Sequence, residues 1–237
     1  MKQSNQIVRA LKSVAIALAL PVAMFVIMEA LAFFTQGEHI IKSSLDIKNL
    51  IRSSGISAAI AFAWSMNLTS GRMDLSLGAQ RVAATICGGF AATALGLGGI
   101  WILVFAILFG VLFGGLVGTV FVTLRIPPMV LGIGMACILE CVGFALSGGA
   151  GFKMVTAAGS AALSDVNFTI AVVAVMLVAM LLLMTYTTFG YRFRAVRGSQ
   201  FIAANAGVNV FANVAVCYAV AGLLVGVPGV LDGAFPR

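Results

Sequence analysis

Two acidic side chains lie where an otherwise apolar sequence offers few polar groups. Asp74 belongs to a short polar stretch that also contains Arg72 and Ser76, and Glu140 lies in the middle of an apolar run. A carboxylate at the start of a helix can accept hydrogen bonds from the unpaired N–H groups of the first turn. An ionisable group in mid-membrane is costly, usually faces the interior of a bundle and is often functional. We therefore expect each carboxylate either to have a structural role of this kind or to line a solute path.

Composition indicates the class of protein that positions these residues. Of the 237 residues, 62% are hydrophobic and 9% are charged, whereas a soluble domain is about half apolar and about a quarter charged. The apolar residues form long runs without the alternation of barrel strands, and a bilayer permits only helices or closed barrels to span it. The sequence predicts an all-α, multi-pass integral membrane protein, a helical bundle with residues 1–237 as a single transmembrane domain.

Seven apolar runs predict about seven spans. They cover residues 13–34, 50–68, 82–97, 100–124, 129–146, 168–189 and 210–231. Whether the number of spans is odd or even stays open between residues 70 and 99, where a re-entrant segment is an alternative to a full span.

The net charge of +7 does not indicate nucleic-acid binding, because the basic residues form no stripe. They lie between the apolar runs, where they favour a cytoplasmic N-terminus by the positive-inside rule. Nine then fall inside, namely Lys2, Arg9, Lys12, Arg72, Arg81, Arg125, Arg192, Arg194 and Arg197. Four fall outside, namely Lys42, Lys48, Arg52 and Lys153.

Glycines mark one face of the fourth run. Gly110, Gly114 and Gly118 are spaced at four residues, and Gly222 and Gly226 repeat that spacing in the seventh run. Such stripes let helices approach closely in lipid. We expect them to pack helices rather than to contact a solute.

Three blocks in order resemble the permease subunits of ribose-type sugar ABC importers. Residues 73–78, Met-Asp-Leu-Ser-Leu-Gly ending at Gly78, are similar to the family's Gly-Gly-Ile-Asp-Leu-Ser-Val-Gly signature. Leu-Arg-Ile-Pro-Pro at 124–128, with Leu-Ser-Gly-Gly at 146–149, resembles the second block. Residues 189–210 resemble the family's cytoplasmic segment. The branched-chain amino-acid permeases of the wider superfamily typically carry an Asn-Phe-Ala-His-Gly-like element in place of Asp-Leu-Ser.

The chain departs from the family pattern at several positions. Arg72 stands where a second glycine is usual, and Glu140 stands where a basic residue is common. Family members continue for several helices beyond the point where this chain stops, at Pro236-Arg237. Relative to the family we expect an incomplete domain, either a truncated product or a divergent branch.

The resemblance implies how the chain would work with partners. Residues 190–209 would form a cytoplasmic coupling segment, with a short helix near 200–206, that docks on an ABC ATPase; an ordinary solvated loop is the alternative. The residues assigned to coupling are Arg192, Arg194, Gly198, Ala203, Ala204 and Gly207. The chain has no phosphate-binding Gly-x-x-x-x-Gly-Lys-Ser/Thr motif of its own. We therefore expect no enzymatic activity and no cofactor in this chain, and ATP bound by the partner.

The expected partners are that ATPase, a second permease subunit in a homo- or heterodimer, an extracytoplasmic solute-binding protein and membrane lipid. The expected location is the cell inner membrane, and the expected cargo is a ribose-like monosaccharide. Two alternatives stay open: an importer of a nucleoside or amino acid, and a secondary transporter that uses Glu140 as a proton relay.

Overall fold

Ten helices and no strand are present in the residues that the computed structural model describes, 2–37, 39–154, 157 and 159–235. They are α1 Lys2–Gln36, α2 Ser44–Thr69, α3 Leu77–Ala94, α4 Ile100–Leu124, α5 Pro128–Ser147, α6 Ala161–Ser164, α7 Val166–Tyr186, α8 Thr188–Gly198, α9 Gln200–Asn205 and α10 Val210–Gly233. The all-α prediction is confirmed. Pro236 and Arg237, on which the expected truncation depends, lie outside the described residues.

Five helices in the described part of the chain are long and apolar enough to cross a membrane. They contain the segments Leu18–Thr35, Ile100–Leu124, Pro128–Ser147, Val166–Tyr186 and Val210–Gly233. The predicted number of about seven spans is not confirmed, because α2 and α3 are not in this set. Both helices carry buried polar side chains, Arg52 and Asn67 on α2 and Gln80 on α3, and these lower their mean hydropathy.

The chain divides into two compact units, and the first comprises residues 1–49. Its main element is α1. The Glu29 carboxylate on α1 accepts a hydrogen bond from the backbone N–H of Ile40 at 3.1 Å, and its second oxygen lies 2.7 Å from Nδ1 of His39. Asp46 accepts the N–H groups of Lys42 and Ser43, which fixes the chain where α2 begins.

The second unit, residues 50–237, is built on the antiparallel pair α4 and α10. Gly110 faces Gly222, and Gly118, two turns further along α4, faces Ala215, earlier in α10. A Cβ atom on Gly110 would lie 2.5 Å from the carbonyl oxygen of Gly222. The two glycine stripes therefore bring these backbones into direct contact.

The other helices of this unit surround that pair. Helix α3 packs on both α4 and α10, and α5 packs on α3. Two helix boundaries have a local cause. Pro127 and Pro128 separate α4 from α5, since proline is favoured in the first turn of a helix and disfavoured further inside it. Asp165 begins α7 by accepting the N–H groups of Asn167 and Phe168.

Candidate functional site

The connection between α2 and α3, residues 70–76, forms a buried polar network around Asp74. One oxygen of this carboxylate accepts the backbone N–H of Ser76 at 2.8 Å and its hydroxyl at 2.6 Å, and the other accepts Nε2 of Gln80 at 3.1 Å. Gln80 also donates to the Ser76 hydroxyl at 2.8 Å. Asp74 is 4% exposed, and Ser76 and Gln80 are fully buried. The carboxylate thus holds the turn that leads into α3.

Burial and hydrogen bonding shift the pKa of the Asp74 carboxyl in opposite directions. Burial raises the pKa of the Asp74 carboxyl above its ordinary value, because the charged form loses hydration, and hydrogen bonds from Ser76 and Gln80 lower it by less. Asn67, near the end of α2, approaches the same carboxylate at 3.5 Å. Within the described residues, two acceptors of the network, Oδ1 of Asn67 and Oε1 of Gln80, have no hydrogen-bond partner.

Asn67 and Gln80 were not among the candidates from the sequence. The sequence does contain a feature that could have identified them, since each is a polar amide at the edge of an apolar run. Gln80 precedes the predicted run 82–97, whereas α3 begins at Leu77. Gly78 is exposed, and a Cβ atom there would meet nothing within 4 Å, so close packing does not explain this glycine.

Arg72 does not join the network of Asp74. It is 4% exposed, and among the described residues Nη2 of its guanidinium has no hydrogen-bond partner. It lines a separate pocket together with Arg125 and Gln200. The structure thus separates Arg72 from Asp74 and Ser76, with which it was grouped as a candidate.

Glu140 lies on an exposed face of α5. The expectation that it faces the interior of the bundle is wrong for this chain taken singly, because the buried face of α5 is formed by residues such as Leu131, Met135 and Leu139. Cys137 and Cys141 share the exposed face. In the described part of the chain no group of three or more His, Cys, Asp or Glu residues is placed to hold a metal ion.

The segment 190–209 contains parts of two short helices. The predicted helix near 200–206 is α9, Gln200–Asn205, and Ser199 caps it by accepting the N–H of Ile202. The polar, arginine-rich residues before it form α8, which the sequence did not reveal. Gly207, with φ of 80°, follows α9 in the left-handed conformation that favours glycine.

The coupling candidates differ in exposure. Ala203 is buried at 2% and packs within the chain, while Ala204, one residue on, is exposed. Ala203 therefore cannot provide the close approach to a partner that we assigned to both alanines. Phe201 and Ile202, at 77% and 68% exposure, were missed as surface residues because apolar side chains are normally assigned to a core.

The arginines of α8 and its neighbours occupy different positions. Arg192 is exposed, and Arg194 donates to the carbonyl oxygen of Met184 at 2.5 Å and lies over the Tyr191 ring. Gly198 has open space around its Cα. Gly190 packs directly against the backbone of Met184, because a Cβ atom at position 190 would overlap the Met184 carbonyl group.

Basic residues mark the two ends of the second unit. Arg72 and Arg125 share a pocket with the first turn of α10, and Arg197 lines another pocket with Thr69. Arg81 forms an ion pair with Asp232 at 2.5 Å, in the last turn of α10. Arg81, which the charge pattern grouped with Arg72 inside, thus lies towards the opposite end of α10.

A family model described as "Branched-chain amino acid transport system / permease component" matches residues 47–236. The chain matches no curated protein and no solved structure at a significant level.

Proposed function

Because this chain belongs to the family of branched-chain amino acid transport system permease components, which includes the ribose-type ABC permeases, we propose that it carries a simple sugar. The family consists of membrane subunits of ABC transporters and not of enzymes, and such permeases operate with an ATPase and a solute-binding protein. We further propose that the membrane is the inner membrane and that two permease subunits enclose the path.

The observation that carries the sugar proposal is the network of Asp74, Ser76, Gln80 and Asn67. Its unpartnered acceptors are neutral amide oxygens, which suit the hydroxyl groups of a sugar. A zwitterionic amino acid requires paired charges, whereas the single carboxylate here is already engaged by Ser76 and Gln80. In the proposed transport cycle, opening of the α2–α3 connection exposes these atoms to the solute.

Competition for uptake tests the cargo. The chain is reconstituted in proteoliposomes with its ATPase and binding protein, and ATP-dependent uptake of labelled ribose is measured against excess ribose, adenosine or leucine. We expect inhibition by ribose and not by adenosine or leucine. Absence of ribose uptake, with ATP-dependent uptake of labelled leucine or adenosine in its place, would refute the sugar assignment while retaining the ABC permease.

Helix α9 supports a docking role for the segment 190–209. Two large apolar side chains, Phe201 and Ile202, are exposed on it beside Ala204. The helix lies at the end of the bundle that carries Arg72, Arg125 and Arg197, which the positive-inside rule assigns to the cytoplasm. We propose that this face of α9 contacts the ATPase.

A bulky residue at the docking face should block association. Ala204→Trp adds volume on the exposed side of α9, so membrane levels should stay normal while capture of the ATPase in a pull-down is lost. Ala161→Trp, at an exposed alanine in α6, is the matched control and should keep it. Equal capture by the two variants would show that the segment 190–209 has no docking role at Ala204.

Glu140 distinguishes the ABC proposal from a proton-coupled transporter. An exposed carboxylate in the middle of α5 is costly against lipid, so we propose that this face meets the second permease subunit or the water-filled path. If Glu140 relayed protons, Glu140→Gln would abolish uptake, and a pH gradient alone would drive transport by the chain without its ATPase. We expect neither result.

A further inference from the structure

Arg72 presents a buried positive charge that the described residues leave unneutralised. Its side chain is 4% exposed and Nη2 has no hydrogen-bond partner. Asp74, two residues on, directs its oxygens to Ser76 and Gln80 instead. Burying a guanidinium without an anion is strongly unfavourable, so the fold at this position indicates an anionic partner from outside the chain.

Arg72 lines a pocket of about 540 Å³ at one end of the bundle. Arg125, the left-handed residue that ends α4, adds a second positive charge, and Gln200 of α9 adds an amide. Val210 and Phe211, in the first turn of α10, also line it. The N-terminus of this 24-residue helix carries partial positive charge and favours an anion.

The rest of the lining is apolar. It consists of Phe121, Val122 and Ile126 from the end of α4 and the residues after it, and Val214 on α10. Among the described residues, no acidic side chain belongs to the lining. A small hydrated anion gains nothing from these walls, whereas an amphiphile buries hydrocarbon against them while its head reaches the arginines.

We propose that this pocket binds a phosphate anion, supplied by the headgroup of an anionic membrane phospholipid, with Arg72 and Arg125 as its ligands. Arginine suits this role because its planar fork of N–H donors matches phosphate oxygens. The resemblance described above does not assign this site, since the ribose-type signature usually has glycine at the position of Arg72. It is independent of the nature of the transported solute.

Lipid binding to the purified full-length chain tests the site. The chain in neutral detergent is titrated with phosphatidylglycerol, phosphatidylcholine or inorganic phosphate, and bound lipid and the thermal unfolding midpoint are measured by native mass spectrometry and a melting assay. Phosphatidylglycerol should bind saturably and raise the midpoint, and the other two should not. Arg72→Gln and Arg125→Gln should each weaken its binding by about tenfold or more, as expected for a lost charged hydrogen bond.

Arg192→Gln removes an exposed positive charge that does not line the pocket, and this variant should bind phosphatidylglycerol like the parent. Equal binding of the two phospholipids, or equal loss in all three variants, would overturn the proposal. Saturable, Arg72-dependent binding of inorganic phosphate as tight as that of phosphatidylglycerol would overturn the lipid source. If Arg72→Gln fails to fold, the exposed Arg125→Gln decides the result.

Discussion

Replacing Gly110 with alanine should separate the two central helices. The added Cβ would lie 2.5 Å from the carbonyl oxygen of Gly222, where the closest ordinary contact is 3.4 Å. The helix α10 must therefore move by about 1 Å, because the obstacle is backbone and cannot change rotamer. Overpacking of this kind costs about 1–3 kcal/mol, which should appear as a lower free energy of unfolding in detergent.

Gly115→Ala is the matched control on the same helix. Its Cβ would meet only the Ala219 side chain, at an ordinary 3.8 Å, while it gains the same helix propensity of up to about 1 kcal/mol. The difference between the two variants isolates the helix–helix contact. If Gly110→Ala unfolds at the same denaturant concentration as Gly115→Ala, the backbones of α4 and α10 are not in contact and the packing described here is incorrect.

Three further predictions concern the polar network, the orientation and the ion pair. Asp74→Ala leaves the buried donors of Ser76 and Gln80 without an acceptor and should lower the free energy of unfolding by about 1–3 kcal/mol. A denaturant titration measures this change, and an unchanged unfolding midpoint would contradict the network. In a Cys-free background, cysteine at Arg197 should react with an impermeant reagent only from inside and cysteine at Lys153 only from outside, and the reverse pattern would invert the topology. A double-mutant cycle with Arg81→Ala and Asp232→Ala should give a coupling free energy of about 1 kcal/mol or less, since the two side chains are 27% and 34% exposed; a cycle without coupling would show that the pair contributes nothing.

Two of the strongly apolar helices, α4 and α10, were predictable with accurate ends, whereas α1 begins eleven residues before the predicted run 13–34. The predicted run 100–124 coincides with α4, because Gly99, with φ of 59°, precedes it and two prolines follow it within four residues. The run 210–231 likewise matches α10 to within two residues. Long apolar runs and helix-breaking residues are local properties, so the positions of these helix ends can be predicted from a single sequence.

The start of α3 was predicted too late because its cause is not local. Gln80 and Arg81 resemble connector residues until Asp74 and Asp232 are known to satisfy them, and Asp232 is 151 residues away from Arg81. The same limit applies to the candidate site. Asp74 was identified from its type and motif, whereas the inward position of Ala203 and the outward position of Glu140 depend on tertiary packing.

The contact between α4 and α10 has a consequence for the order of events during synthesis. Gly110 and Gly222 are 112 residues apart in the sequence, and at a translation rate of about 5–20 residues per second the second glycine emerges roughly 5–20 s after the first. During that interval the small-residue face of α4 has no α10 to pack against, and lipid tails can cover it. Leaving this face of α4 against lipid costs little free energy, since hydrocarbon is as apolar as the surface of α10 that later replaces it. The central contact of the bundle therefore forms by exchange of lipid for a helix, late in membrane insertion.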